Sequence, residues 1–163
     1  MRSVKQLQTT HRNLPHWQVP GATYFITWRT SRGVVLEPSE RSVALDAVRF
    51  WDGKRWHVCA AVVMPDHVHV LACPLPVATT DPTAVHDLAT ILHSVKGFSA
   101  QQINTTRGRE GAVWQDERHD RLIRDARELE ERWGYLVYNP VKAGLAASPE
   151  EYPWLYSAGR ADL

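Results

Sequence analysis

The chain has 163 residues, 44% of them hydrophobic and 23% charged, with 9 Gly and 10 Pro scattered along it, which excludes general disorder, collagen-like repeats and low complexity. The length suits one domain over residues 1–163, with a basic arm at 1–18 and a tail at 146–163. The net charge of +1 hides an asymmetry: no Asp or Glu precedes Glu37, whereas Arg2, Lys5, Arg12, Arg29 and Arg32 all do, a distribution that suits an acidic partner such as nucleic acid or simply a solvated arm. Cys59 and Cys73 are too few for a disulfide scaffold. The longest apolar run, Val58 to Met64, is too short to span a bilayer, and no charged-then-apolar leader opens the chain. A reduced, cytoplasmic protein without a membrane partner is expected.

In chain order, Ala22 to Thr30 alternates as a strand, with Tyr24, Ile26 and Trp28 on one face and Phe25 and Thr27 on the other. Pro38-Ser39 starts a helix in which Val43, Ala44, Ala47, Val48 and Trp51 recur until Gly53. Trp56 to Met64 is β-branched, apolar and short, as in a central strand. Met64-Pro65-Asp66-His67 has turn chemistry, and His67 to Pro74 completes a hairpin. Pairing Met64 with His67 sets His69 opposite Val62 and sends Cys59 and Cys73 to opposite faces. After a loop from Pro74 to Pro82, Val85, Leu88, Ile91, Leu92 and Val95 mark a helix. Gly97 is expected to interrupt it before Ile103, and Asn104 to Gly111 is a polar loop. A short strand follows at Trp114 to Ile123, and a last helix runs from Asp125 to the Asn139-Pro140 boundary. The order β-α-β-β-α-β-α predicts an α+β fold: an antiparallel sheet with packed helices, of ferredoxin-like type.

His67-Val68-His69 is the sharpest local feature. Residues two apart in a strand project from one face about 7 Å apart, so two imidazoles can converge on a metal ion. They can equally be two polar residues on a wetted strand face, although unpaired histidines inside an apolar hairpin would be costly. Catalysis by such a metal needs a further ligand and an open position. On the last helix Tyr135 and Asn139 stand at i and i+4 and share a face. The spacing alone also fits an amphipathic boundary residue and a helix C-cap. Asp66 reads as a turn residue rather than a ligand.

The segments MPDHVHVLACP (Met64–Pro74) and GYLVYNPVKAGL (Gly134–Leu145), with ATYFITWRT upstream and WQDERHDRLIRD (Trp114–Asp125) between them, resemble the REP-associated tyrosine transposases. These are single-tyrosine His-hydrophobic-His (HUH) nucleases akin to insertion-sequence transposases. The likeness spans nearly the whole chain in order, and the Tyr-x-x-x-Asn-Pro-Val-Lys-Ala-Gly-Leu block is more specific than the His triplet. The resemblance implies the HUH nuclease fold, with His67 and His69 as metal ligands, Asn139 as a third, amide-type ligand and Tyr135 as nucleophile. Tyr138, on another helix face, ranks second. Gly134 departs from a good helix former and costs roughly 1 kcal/mol against Ala.

The implied activity is metal-dependent cleavage and rejoining of single-stranded DNA beside palindromic hairpins, through a 5′-phosphotyrosine. The implied ion is Mg²⁺ or Mn²⁺, since two imidazoles and an amide oxygen are tolerable for the first and comfortable for the second. The resemblance also brings the Arg118-His119-Asp120-Arg121 stretch near DNA. From the residues themselves, Arg2, Lys5 and Arg12, then Lys96, Arg107 and Arg109, then Lys142 are candidate phosphate contacts, and each is also an ordinary solvated base. Trp17 and Trp114 are candidate stacking platforms. The partner is then hairpin-bearing single-stranded DNA, the setting the bacterial nucleoid, and the working form a monomer or homodimer. The alternatives are a hairpin-binding protein that no longer cuts, or a phosphoesterase using water.

Overall fold

The computed structural model of the chain describes residues 18–159. The candidate contacts Arg2, Lys5 and Arg12, and Trp17, lie outside them.

Alternating side chains build β1 (Tyr24–Thr30), whose inner positions Tyr24, Ile26 and Trp28 are buried. Helix α1 (Pro38–Phe50) begins at a Pro, which lacks an N–H that would be unpaired there, while the Glu37 N–H donates to Glu40 Oε2 at 2.7 Å. The apolar run Trp56–Val63 is β2, and His67–Pro74 is β3. Helix α2 spans Leu88–Arg107, the edge strand β4 spans Trp114–Leu122, and α3 spans Ala126–Lys142. A 3-10 turn (Pro149–Glu151) and β5 (Leu155–Ser157) follow.

The sheet order is β4-β1-β3-β2-β5, with every neighbouring pair antiparallel. The first four strands have the order expected of a ferredoxin-like α+β sandwich, and β5 extends it beyond β2. Ile26, Trp28, Val58, Val63, Val68, Val70 and Ala72 form one face, sealed by α1 and α2 through Ala44, Val48, Ile91, Leu92 and Val95. The other face carries Phe25, Ala60, Val62 and Leu71 under Leu136 and Val137 of α3 and Tyr152 of the tail. Each fully buried large apolar side chain contributes roughly 1.5–3 kcal/mol. Among the described residues no helix is long and apolar enough to cross a membrane.

The predicted register of the hairpin holds from Val63↔Val68 and Val62↔His69 to Ala60↔Leu71. At Cys59 it shifts by one residue, so that Val58 pairs with Ala72. This bulge turns both Cys59 and Ala60 into the α3-side cluster. By the straight alternation of β3, Cys73 shares that side with Leu71, so the two cysteines do not face opposite ways. No disulfide joins them.

Three boundaries also differ from expectation. The side chain of Asp87 accepts from the Thr90 N–H, so α2 begins at Leu88, and Val85 lies before it in an isolated bridge with Pro76. Gly97 does not break α2, because buried Leu92 and Val95 before it and Ser99 and Ile103 after it hold both halves to one core. The residues expected to loop from Asn104 stay helical to Arg107, and the left-handed Gly108 (φ 59°) ends the helix.

Pro140 sits inside α3. Its ring removes one hydrogen bond in the last turns, and the residue is buried together with Leu136 and Val137. The backbone then closes onward through Ala143 N–H to Asn139 O and Leu145 N–H to Pro140 O. Asn139 is therefore a helix-interior residue and not a C-cap.

Candidate functional site

Alternation along β3 is what makes a site possible here. Val68 and Val70 enter the sealed core, so His67 and His69 must emerge on the α3 face. The antiparallel register sets Arg29 beside His67 and Thr27 beside His69, and on the far side of β1 it sets His119 beside Thr27. His119, Thr27 and His69 thus form one row across three strands.

The two imidazoles lie close, with ring centroids 4.7 Å apart. Phe25 stacks on His69 at 5.3 Å and 27°. From α3, the Tyr135 ring reaches within 5.5 Å of His69 and 6.1 Å of Phe25, edge-on to both. Tyr135 is 41% exposed while His69 is only 6% exposed, so the phenol covers the imidazole and still meets solvent. Asn139 follows one turn later on α3 and is half-buried. Tyr138 is exposed.

Both imidazoles have their Nδ1 atoms engaged. His67 Nδ1 lies 2.6 Å from Asp66 Oδ1, and His69 Nδ1 lies 2.7 Å from Thr27 Oγ1. Among the described residues these contacts leave the Nε2 atom of each ring unengaged. His69 is held down to about 3, first by burial and then by repulsion from His67, Arg29 and Arg132, with Asp66 opposing. A neutral imidazole at physiological pH is the form that ligates a metal.

The donor chemistry fits a divalent ion bound by two neutral nitrogens. Among the described residues no cluster of three or more His, Cys, Asp or Glu could hold a metal. Further positions on an ion here would fall to an amide such as Asn139, to water or to a phosphate oxygen.

The surroundings are basic. Arg132 lies over the Phe25 ring at 5.4 Å, and the Lys142 ammonium is 5.6 Å from the centroid of the Tyr135 ring. Arg121 on β4 pairs in register with Phe25 and holds Glu128 at 2.6 Å. Arg124 holds the same carboxylate at 3.2 Å.

The other expected contacts lie across the sheet. Arg118 pairs in register with Trp28, whose face is the sealed one, and with Lys96 and Trp114 it lines a cleft of about 660 Å³ between α2 and β4. Lys96 Nζ donates to the Gln115 carbonyl at 2.6 Å, and burial lowers its pKa. Arg107 is paired to the buried Glu40 carboxylate and donates to the Val35 carbonyl at 2.6 Å. Arg109 donates to the Ala112 carbonyl at 3.3 Å. Trp114 is buried, and its indole N–H donates to Ser99 Oγ at 2.9 Å.

Thr27, Phe25, Arg29, Asp66 and Arg132 were not among the expected site residues. Strand pairing alone brings Thr27 and Arg29 beside the histidines, and no local motif marks it.

A curated protein of Haemophilus influenzae, provisionally named a REP-associated tyrosine transposase, is 28% identical over 150 residues, covering 82% of this chain and 78% of its own. The chain is thus similar to the REP-associated tyrosine transposases. A solved REP-associated tyrosine transposase bound to a REP hairpin superposes with a TM-score of 0.67 at 21% identity, over 88% of this chain and 81% of that one, which shows the shared fold. No family model matches the chain.

Proposed function

We propose that the protein is a metal-dependent single-strand DNA nuclease and strand transferase acting beside DNA hairpins, with Tyr135 as its nucleophile. One observation carries this reading: two imidazoles from β3 and a phenol from the last helix, distant in sequence, meet with centroids 4.7 and 5.5 Å apart on the open face of the sheet. A sheet face without chemistry to perform would more economically be apolar there. The similarity to REP-associated tyrosine transposases, one of them solved with a hairpin, supports hairpin DNA as the partner.

In this reading His67, His69 and Asn139 hold Mg²⁺ or Mn²⁺. The ion would supply charge to offset the anionic phosphate oxygens. The Tyr135 oxygen attacks phosphorus as its proton leaves, the bond to the 3′-oxygen breaks, and a 5′-phosphotyrosine and a free 3′-hydroxyl result. The new phosphodiester keeps the energy of the old one, so a second 3′-hydroxyl can reverse the step and join strands. Arg29, Arg132 and Lys142 flank the centre and suit phosphates on either side of the cut. His119 and Arg121 extend that surface toward β4. A DNA that also met Lys96, Arg107, Arg109 or Arg118 would have to wrap around the β4 edge.

The test is incubation with single-stranded palindromic DNA and Mn²⁺, followed by denaturing electrophoresis. A covalent protein–DNA adduct is expected, and none with Tyr135→Phe. Selective hairpin binding with no adduct under any ion would make the protein a binding module. A free 5′-phosphate released by Tyr135→Phe would make it a water-using phosphoesterase.

A further inference from the structure

The turn between β2 and β3 places a carboxylate against one of the two histidines, and that carboxylate is not loosely held. The Asp66 carbonyl accepts both the Thr30 N–H at 2.9 Å and the Thr30 hydroxyl at 3.2 Å. The preceding Pro65 carbonyl accepts the Leu36 N–H at 2.7 Å, and the Met64 N–H donates to the His67 carbonyl at 2.8 Å. Four hydrogen bonds thus pin the turn to β1, to the segment before α1 and to itself. From this anchored backbone one carboxylate oxygen reaches His67 Nδ1 at 2.6 Å, and the other lies 3.7 Å from Arg29 Nη1. Arg29 is also the register partner of His67. Arg29, Asp66 and His67 therefore form a chain in which strand pairing fixes the first and last members and the hydrogen-bonded turn fixes Asp66.

An ionised carboxylate has only lone pairs to offer, so the hydrogen in the short contact must sit on Nδ1. That choice decides the chemistry of the other ring nitrogen. With the proton on Nδ1, neutral His67 carries its lone pair on Nε2. Without a partner, the two tautomers compete and the ring rotates more freely.

We propose that Asp66 is a positioning residue: it locks His67 in the Nδ1–H form and fixes the ring so that its Nε2 presents a lone pair beside the His69 ring. The role rests on the metal-dependent reading for its purpose, but not for its detection. Carboxylates that orient metal-ligating histidines typically change metal affinity by 10–100-fold when removed. Asp66 is well exposed, its carboxylate being 57% accessible, so its substitution spares the core.

Long-range proton–nitrogen NMR correlation on the metal-free protein at about pH 8, where imidazoles are mostly neutral, reads the tautomer directly. The wild type is expected to show His67 as Nδ1–H, Asp66→Ala to shift it to Nε2–H, and Asp66→Asn, which keeps an acceptor oxygen, to remain Nδ1–H. Titration with Mn²⁺ is expected to give a 10–100-fold weaker affinity for Asp66→Ala, with Asp66→Asn nearer the wild type. A wild-type His67 protonated on Nε2, or a tautomer unmoved by Asp66→Ala, overturns the proposal. So does a tautomer shift that leaves Mn²⁺ affinity within about twofold, since the orientation would then serve nothing. A wild type that binds no Mn²⁺ sinks the metal reading instead, and the tautomer result then decides the role of Asp66 alone.

Discussion

The two faces of one sheet show how the same strands can serve different ends. Under α1 and α2 the strands present Ile26, Trp28, Val68 and Val70, all buried, to an unbroken apolar layer. Turned over, β1 and β3 present Phe25, Thr27, His67 and His69 to α3, and only part of that face is apolar. There α3 covers Ala60, Val62 and Leu71 and leaves the histidines at its margin beside Tyr135. Residues adjacent in sequence thus belong to different environments, one a sealed apolar core and the other a partly polar, open face. The division also sorts the charges: Arg29, Arg132 and Lys142 flank the open face, whereas Arg107 is consumed by the buried Glu40.

Separate substitutions should break each face without the other. The largest effect is expected from Tyr135→Phe, which should reduce the covalent DNA adduct to background on a denaturing gel. Because the side chain is 41% exposed, stability should change by no more than about 0.5 kcal/mol. On the sealed face, Trp56→Ala should cost about 3–5 kcal/mol in urea unfolding, since the fully buried indole also donates to the Val48 carbonyl at 3.1 Å. Metal affinity of the remaining folded protein should be unchanged, and a joint loss would show that the faces are coupled.

A pH experiment sharpens the contrast. The pKa of His69 is depressed to about 3 from the usual 6.5, so unfolding takes up a proton between those values. Stability should therefore fall as pH drops from about 6.5 toward 3, by up to about 1.4 kcal/mol per unit from this group. His69→Gln should remove that part of the slope in metal-free protein, as read by thermal melting across pH. Glu40 has a lowered pKa through its bond to Arg107, so its contribution is present above the usual carboxylate range and lost below it. That loss should persist in His69→Gln. The smallest effect belongs to Gly134→Ala on α3. A Cβ there meets no atom within 4 Å, so the helix should gain about 0.5–1 kcal/mol in a denaturant melt.

Much of this molecule was legible before its structure. Alternation located β1, helical spacing located the three helices, and Met64-Pro65-Asp66-His67 located β3 as the partner of the apolar strand β2 and set the start of the hairpin register. Local signals misled where tertiary packing outweighed them. Gly97 and Pro140 read as breaks, but α2 is carried through by buried neighbours on both sides of Gly97, and α3 continues past a Pro140 that is itself buried after Leu136 and Val137. The bulge at Cys59 was invisible because alternation in an all-apolar strand marks neither face. β5 was missed because three residues have too little pattern to announce a strand, and pairing with β2 is what makes them one.

The sequence by itself determined which candidate site residues share a face, because His-x-His in a strand puts both imidazoles on one side and the periodicity of α3 carries Tyr135 and Asn139 together. Only the tertiary structure decided their company. Thr27 and Arg29 come to the histidines through β1–β3 pairing, Asp66 through a turn tied to Thr30, and Tyr135 through the docking of α3. Spacing within one element is written in local periodicity, whereas contact between elements follows from burying apolar surface, which many arrangements of the same pattern would satisfy.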